Sequence, residues 1–214
     1  MDFNLFVARM SVVVDFSKLQ TAFESVEGFL LAGEGYALTL LAMEGPGEGA
    51  IVEIGSFMGR STCWLGEGTK RAGREKVYAV DHFAGSPEHQ AGAKSECDVI
   101  VKTGSTLDIF RKNIRDHGFE SVVETIVSPS LEAAKNWDGP IRLLFIDGDH
   151  SYESTRDDFL AWSPYVINHG WVAFHDIGNA EGSTRFYEEL DKGDNEYEVA
   201  GTVGSLGLAF KNPK

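Results

Sequence analysis

Basic residues are scarce in this sequence: 19 Lys and Arg stand against 33 Asp and Glu, for a formal net charge of −14. A surface that tracks nucleic-acid phosphates works by clustered Lys and Arg that release counterions. No nucleic-acid partner is therefore expected, and the acidity reads as a solubility feature. Cysteine is scarcer still, with only Cys63 and Cys97. They lack both the pairing density of a secreted scaffold and the CxxC spacing of a zinc site, so both are expected as reduced thiols. Long apolar runs are missing as well. Met1 to Gln20 carries Asp2 and no signal-peptide core, and nothing elsewhere approaches a membrane span. A soluble, cytoplasmic protein with no membrane partner is expected.

What is present is an ordinary globular composition, 43% hydrophobic and 24% charged, over 214 residues. That length suits a single domain, 1–214. Leu19, Phe23, Val26 and Leu30 recur at helical spacing and predict a helix over Ser17 to Leu30. A second helix is predicted over Tyr36 to Met43, stopped by Gly45, Pro46 and Gly47, so residues 1–48 read as N-terminal helices. Strand-like runs then alternate with helix-like segments: Ala50 to Ile54, Val77 to Val80, Val122 to Val127, Leu143 to Ile146 and Trp171 to Phe174. This is the rhythm of a mostly parallel sheet covered by helices on both faces. Tyr197 to Ala200 and Leu206 to Phe210, around Gly201 and Gly204, read as a closing hairpin. Residues 84–104 are polar and without period, which fits a lid or an insertion.

In such sheets ligands bind beyond the carboxyl ends of the strands. The first strand runs through Glu53 and Ile54 into Gly55-Ser56-Phe57-Met58-Gly59-Arg60-Ser61. A dinucleotide fingerprint needs glycine at the first, third and sixth positions, and here Phe57 and Arg60 hold the last two. A glycine-poor turn with a carboxylate at Glu53 suits a phosphate-free ligand carrying an ammonium group, such as the methionine part of S-adenosyl-L-methionine (SAM). Asp81 closes the second strand, where a carboxylate can accept from both hydroxyls of a ribose. Asp147 and Asp176 each follow an apolar strand, so their carboxylates should emerge at one sheet edge. Hard oxygen ligands of that kind favour Mg²⁺. The plainer alternative makes Asp147 to His150 a turn, with Asp149 or Ser151 capping the next helix. Tyr152 and Trp137 stand where they either line the pocket or pack in the core.

These residues, with Ile146-Asp147-Gly148-Asp149-His150-Ser151-Tyr152-Glu153 and Val172-Ala173-Phe174-His175-Asp176-Ile177, resemble the small-molecule O-methyltransferases of the class I SAM-dependent family. The subgroup resembled includes the macrolide-sugar enzymes acting on macrocin and mycinamicin, and the similarity covers roughly Gly49 to Leu190. The resemblance implies a three-layer α/β/α Rossmann-like fold, with seven strands and an antiparallel C-terminal hairpin. It also implies that Glu53, Gly55, Ser56, Gly59 and Ser61 line the methionine side of SAM, Asp81 the ribose and Ser130 the adenine, with Asp147 close to the cofactor. An acidic residue more usual before that serine is replaced by Pro129. By the same resemblance Asp147, His175 and Asp176 hold a divalent metal, and His150 is the base that takes the acceptor's proton. His175 departs from the acidic residue of the relatives, and an imidazole ligand shifts the preference from Mg²⁺ toward Mn²⁺, Fe²⁺ or Zn²⁺. The expected acceptor is a hydroxyl of a small molecule, a sugar or a catechol-like diol. A metal-free methyltransferase, a nicotinamide-dependent oxidoreductase and a non-catalytic SAM-binding protein stand as alternatives, and a homo-oligomer through the apolar N-terminal helix stays open.

Overall fold

Seven strands form one sheet in the computed structural model, which describes residues 3–93, 95–192 and 196–213. They are β1 (Ala50–Ile54), β2 (Val77–Asp81), β3 (Val123–Val127), β4 (Ile141–Ile146), β5 (Val166–Phe174), β6 (Tyr197–Val203) and β7 (Leu206–Lys211). Their order is β3-β2-β1-β4-β5-β7-β6. The first five strands pair in parallel, and β7 is antiparallel to both β5 and β6. The expected doubly wound sheet with its closing hairpin is what forms. The chain starts in the middle, winds outward to β3, then returns to the other side of β1. Strand order therefore reverses between β1 and β4, where such sheets open a crevice at their carboxyl edge.

Eight helices cover the sheet among the described residues: α1 (Phe3–Phe23), α2 (Ala32–Glu44), α3 (Arg60–Ala72), α4 (Asp98–Thr103), α5 (Leu107–Asp116), α6 (Ser130–Ala134), α7 (Tyr152–Trp162) and α8 (Glu181–Lys192). Successive strand residues point to opposite faces. Ile51, Leu143 and Phe145 accordingly meet Leu38, Trp64 and Leu65 of α2 and α3, while Val52, Leu144 and Phe174 meet Phe159, Trp162 and Phe186 of α7 and α8. Each such buried side chain contributes roughly 1.5–3 kcal/mol. All six residues of β4 are buried, as a central strand between two helical layers requires. Both cysteines are free and buried. Among the described residues no helix is long and apolar enough to cross a membrane.

Two expectations are revised. The N-terminal helix ends at Phe23 and not at Leu30. Val26 and Leu30 are still buried, at 1% and 3% exposure, but they enter the core from a turn. That turn is fixed by Arg60, whose guanidinium donates to the Gly28 carbonyl at 3.0 Å while its side chain fills the space a Cβ on Gly28 would need. Strand β5 starts at Val166, five residues before the apolar run that announces it, and shifts register where His169 takes a positive φ of 62°. Residues 84–104 contain a short helical turn, Pro87–His89, and α4. Cys97 and Ile100 from this segment are buried against Met58, so it packs onto the domain.

Candidate functional site

The sheet register alone brings the site together. Ile54 of β1 is level with Ile146 of β4, which is level with Phe174 of β5. Hydrogen bonding continues one residue past the strand ends: the Asp147 amide donates to the Ile54 carbonyl at 2.8 Å and the His175 amide to the Ile146 carbonyl at 3.0 Å. Gly55, Asp147 and His175 therefore sit side by side on the rim. Gly55 has a φ of +84°, and a Cβ there would lie 2.6 Å from the Asp147 carbonyl carbon, so only glycine lets the two chains pass. Asp176 adopts a left-handed φ of 60°, a conformation aspartate tolerates better than most residues, and its carboxylate comes back toward the histidines.

Asp147, His175 and Asp176 each offer a ligand atom within 4.8 Å of the others. His175 Nδ1 lies 3.0 Å from Asp147 Oδ1 and 3.5 Å from Asp176 Oδ2. On its other side, Nε2 lies 3.3 Å from Glu34 Oε2. His150 Nε2 approaches Asp176 Oδ2 at 3.3 Å. Sequence reasoning missed Glu34. It sits in the first turn of α2 at 1% exposure, takes the Leu31 amide on Oε2, and takes the Ser205 amide and hydroxyl on Oε1. Gly204 is close enough that a Cβ would fall 2.6 Å from Glu34 Oε1, so the β6–β7 hairpin turn closes directly onto this carboxylate. Burial opposes the charge on Glu34, but donation from His175, Leu31 and Ser205 outweighs it and holds the carboxyl at about 2. Burial likewise opposes an imidazolium at His175; Asp147, Asp176 and Glu34 overcome it and hold the ring protonated far above its usual range. The His175 contact holds Asp176 down at about 2.

The glycine turn after β1 is braced from beneath. Glu53 is wholly buried, and its Oε2 accepts from the hydroxyls of Ser56 at 2.8 Å and Thr62 at 2.5 Å. Burial pushes its carboxyl up to about 7 despite those hydroxyls. Glu53, expected as a ligand contact, is absent from the cavity lining and fastens the turn through these hydroxyls. Gly59 also lies outside the cavity lining; it takes a φ of 91° ahead of α3, and a Cβ there would in addition crowd the Phe110 ring. Asp81 Oδ2 accepts the amides of Ser56 and Phe57, and Oδ1 accepts that of Phe83. Oδ2 is saturated and Oδ1 keeps one lone pair, so this geometry leaves room for one further hydroxyl rather than two. Asp149 accepts from the Ser151 amide, and Ser151 caps α7 through the Ser154 amide, as the plainer alternative for this loop has it.

One cavity of about 910 Å³ connects these groups. Gly55, Ser56, Ser61, Asp81, Ser130, Asp147, His150, His175 and Asp176 all line it, so nearly every residue singled out from the sequence opens onto one space. Phe29, Phe57 and His89 line it as well, with ring centroids 5.1–5.9 Å apart. Tyr152 and Trp137 do not: Tyr152 lies under Arg185 and donates to Glu189, and Trp137 packs on Tyr78 and Trp162.

The profile of a methyltransferase-domain family matches residues 52–177, more than half of the chain. The chain belongs to that family. The matched stretch runs from β1 through the His175-Asp176 pair, so it contains both the glycine turn and the acidic rim. This sets aside the nicotinamide-dependent alternative. A curated relative, uncharacterized protein R132 of Acanthamoeba polyphaga mimivirus, is 27% identical over 143 residues; the match spans 66% of this chain and little more than half, 57%, of that protein. Solved structures share the fold. Cofactor-bound Rv0187 from MTB superposes with a TM-score of 0.65 at 19% identity, covering 95% of this chain and 91% of the other. The O-methyltransferase TomG from Streptomyces achromogenes, in complex with SAM, gives 0.63 at 16% identity over 94% and 90%. An O-methyltransferase from Bacillus cereus, in complex with SAH, gives 0.61 at 19% over 94% and 91%. In this methyltransferase domain Glu34 falls between the two helices the sequence predicts, which end at Leu30 and begin at Tyr36, and drew no reading. Its signal is the Leu31-to-Glu34 spacing of a helix start, which does not reveal what else the carboxylate touches.

Proposed function

We propose that the domain transfers the methyl group of SAM to a hydroxyl of a small molecule. The observation that carries this reading is the meeting of Asp147, His175 and Asp176 within 4.8 Å, beside His150, on the rim of the cavity that also holds the glycine turn. Family membership supports it, as do O-methyltransferases of the same fold bound to SAM or SAH. SAM, when bound, supplies an electrophilic methyl on a sulfonium. Ser56 and Ser61 stand at the methionine end of the cavity, Asp81 Oδ1 offers a lone pair to a ribose hydroxyl, and Ser130 lies toward the base. Methyl transfer needs alignment more than covalent help. The rigid turn and the shared strand register provide that alignment. His150, with its Nε2 facing Asp176, takes the acceptor's proton as general base. Phe29, Phe57 and His89 give the acceptor an apolar, stackable wall.

Two carboxylates and an imidazole nitrogen are a donor set suited to a divalent cation, Mg²⁺ or, given the imidazole, Mn²⁺. Glu34 fits this reading, since a carboxylate on the far ring nitrogen is how metal-bound histidines are oriented. Such a cation, when bound, supplies Lewis acidity to the acceptor's oxygens. A second reading is favoured by the imidazolium of His175 itself, which already balances the facing carboxylates and makes a metal-free methyltransferase self-consistent. SAM-to-SAH turnover on catechol and sugar-diol acceptors tests both. Activity abolished by EDTA, restored by Mn²⁺ and lost in Asp147→Ala is the expected result. Undiminished chelator-treated activity that falls in His150→Ala selects the metal-free reading, and no turnover on any hydroxyl acceptor with SAM bound rejects O-methyl transfer.

A further inference from the structure

The cavity lining also carries a carboxylate that the reading above leaves unused. Asp158, on α7, is 7% exposed and lines the cavity with Ser128, Pro129 and Ser130 from the β3–α6 connection and Gly148 from the β4–α7 loop. Its orientation is set by a directed chain. The buried Trp162 indole donates to Ser130 Oγ at 2.9 Å, which occupies the hydroxyl as acceptor and turns its proton toward the neighbouring Asp158, whose charge it favours. A carboxylate has about four acceptor sites. Among the described residues Ser130 is the one donor Asp158 meets, while Asp157 and Asp149 beside it are of like charge. Burial, opposed by Ser130 and reinforced by those aspartates, pushes its carboxyl up to about 6. At neutral pH the cavity thus presents an under-satisfied anion, and such a group is costly unless a ligand brings a donor.

What faces it is fixed by the strand order. Asp81 ends β2, and the Ser128 amide donates to its carbonyl at 3.0 Å, so the stretch from Ser128 to Ser130 adjoins the ribose position on the outer side. A nucleoside with its sugar at Asp81 therefore projects its base between Ser130 and α7. The β3–α6 connection itself offers no carboxylate there, because Pro129 stands between two serines. The geometry points to Asp158 as the residue that reads the cofactor's base, accepting a hydrogen bond from the exocyclic amine of adenine and so selecting adenosyl over inosyl nucleosides. This inference rests on the SAM reading.

Calorimetric titration with SAH and with S-inosyl-L-homocysteine, in which a carbonyl replaces the amine, tests it. The wild type is expected to bind SAH roughly 30-fold more tightly, the scale of one hydrogen bond to a charged group. Asp158→Ala should bring the two affinities within about threefold by weakening SAH alone. Asp158→Asn keeps the shape and an acceptor oxygen, and should retain an intermediate preference with unchanged thermal stability. A wild-type-like ratio of the two affinities in Asp158→Ala overturns the inference, as does an equal weakening of both ligands, which is the mark of a merely structural role. Wild-type protein that binds neither nucleoside overturns the cofactor reading and this inference with it. Wild-type binding without discrimination overturns only the latter.

Discussion

Glu34→Gln tests the buried network that shapes the rim. Glu34 accepts from the Leu31 amide at 2.8 Å, from the Ser205 amide and hydroxyl at 2.7 and 2.8 Å, and faces the His175 ring at 3.3 Å. Glutamine keeps the volume but turns one acceptor into a donor, which must then face either Ser205 or His175. Breaking one side of a buried ion pair costs about 3–5 kcal/mol, and the remaining amide oxygen recovers part of that, so a loss of about 3 kcal/mol is expected. The sign with pH follows from the two shifts. Glu34 is lowered from an ordinary 4.5, so its contribution is present above pH 4.5 and is lost as pH falls toward 2. His175 is raised from an ordinary 6.5, so its contribution is full below pH 6.5 and is lost as pH rises toward its elevated value. The stability difference between wild type and variant, from urea unfolding in chelator between pH 3 and pH 9, should therefore fall away below pH 4.5 and hold level from there to pH 9, because Asp147 and Asp176 keep His175 protonated in the variant as well. A difference that does not vary with pH, or one below about 0.5 kcal/mol throughout, would refute the pairing.

Glu53 behaves oppositely, because its folded-state carboxyl is raised to about 7. Its titration alone should lower wild-type stability by about 3 kcal/mol as pH rises from 4.5 to 7, and Glu53→Gln should remove that share of the slope, as read by chemical unfolding. Gly55→Ala combines a left-handed backbone with contact against Asp147, and should cost about 3 kcal/mol or more in unfolding free energy. The same substitution should displace Asp147 enough to abolish methyl transfer even at temperatures where the variant stays folded.

The sheet was readable because its central strands are short apolar runs separated by amphipathic helices, and β1 and β4 appear within two residues of where the pattern places them. The start of β5 was hidden by Asn168, His169 and Gly170, which carry turn chemistry yet run on as strand. Val26 and Leu30 kept a helical spacing while being buried from a turn, because burial and not helix formation selects apolar residues there. Asp147, His175 and Asp176 were visible as strand-end residues, since parallel register dictates that strand ends share a rim. Glu34 and Asp158 were not visible. Each gains its meaning from partners far along the chain, Ser205 and His175 for the first and Ser130 for the second, and no local pattern encodes such a contact. Glu53 was read as a ligand contact although its partners Ser56 and Thr62 stand only three and nine residues away, because composition cannot say which side of a turn a carboxylate faces.

Metal-assisted methyl transfer requires a nucleoside-binding turn and a cation-holding rim in the same cavity. A crystal grown with SAH and Mn²⁺ and measured at the manganese edge decides whether they coincide. The expected outcome is an anomalous peak within ligand distance of Asp147, His175 Nδ1 and Asp176, with SAH density running from the Gly55 turn past Asp81 to Ser130. SAH density elsewhere on the surface, or manganese bound away from that rim, would overturn the proposal.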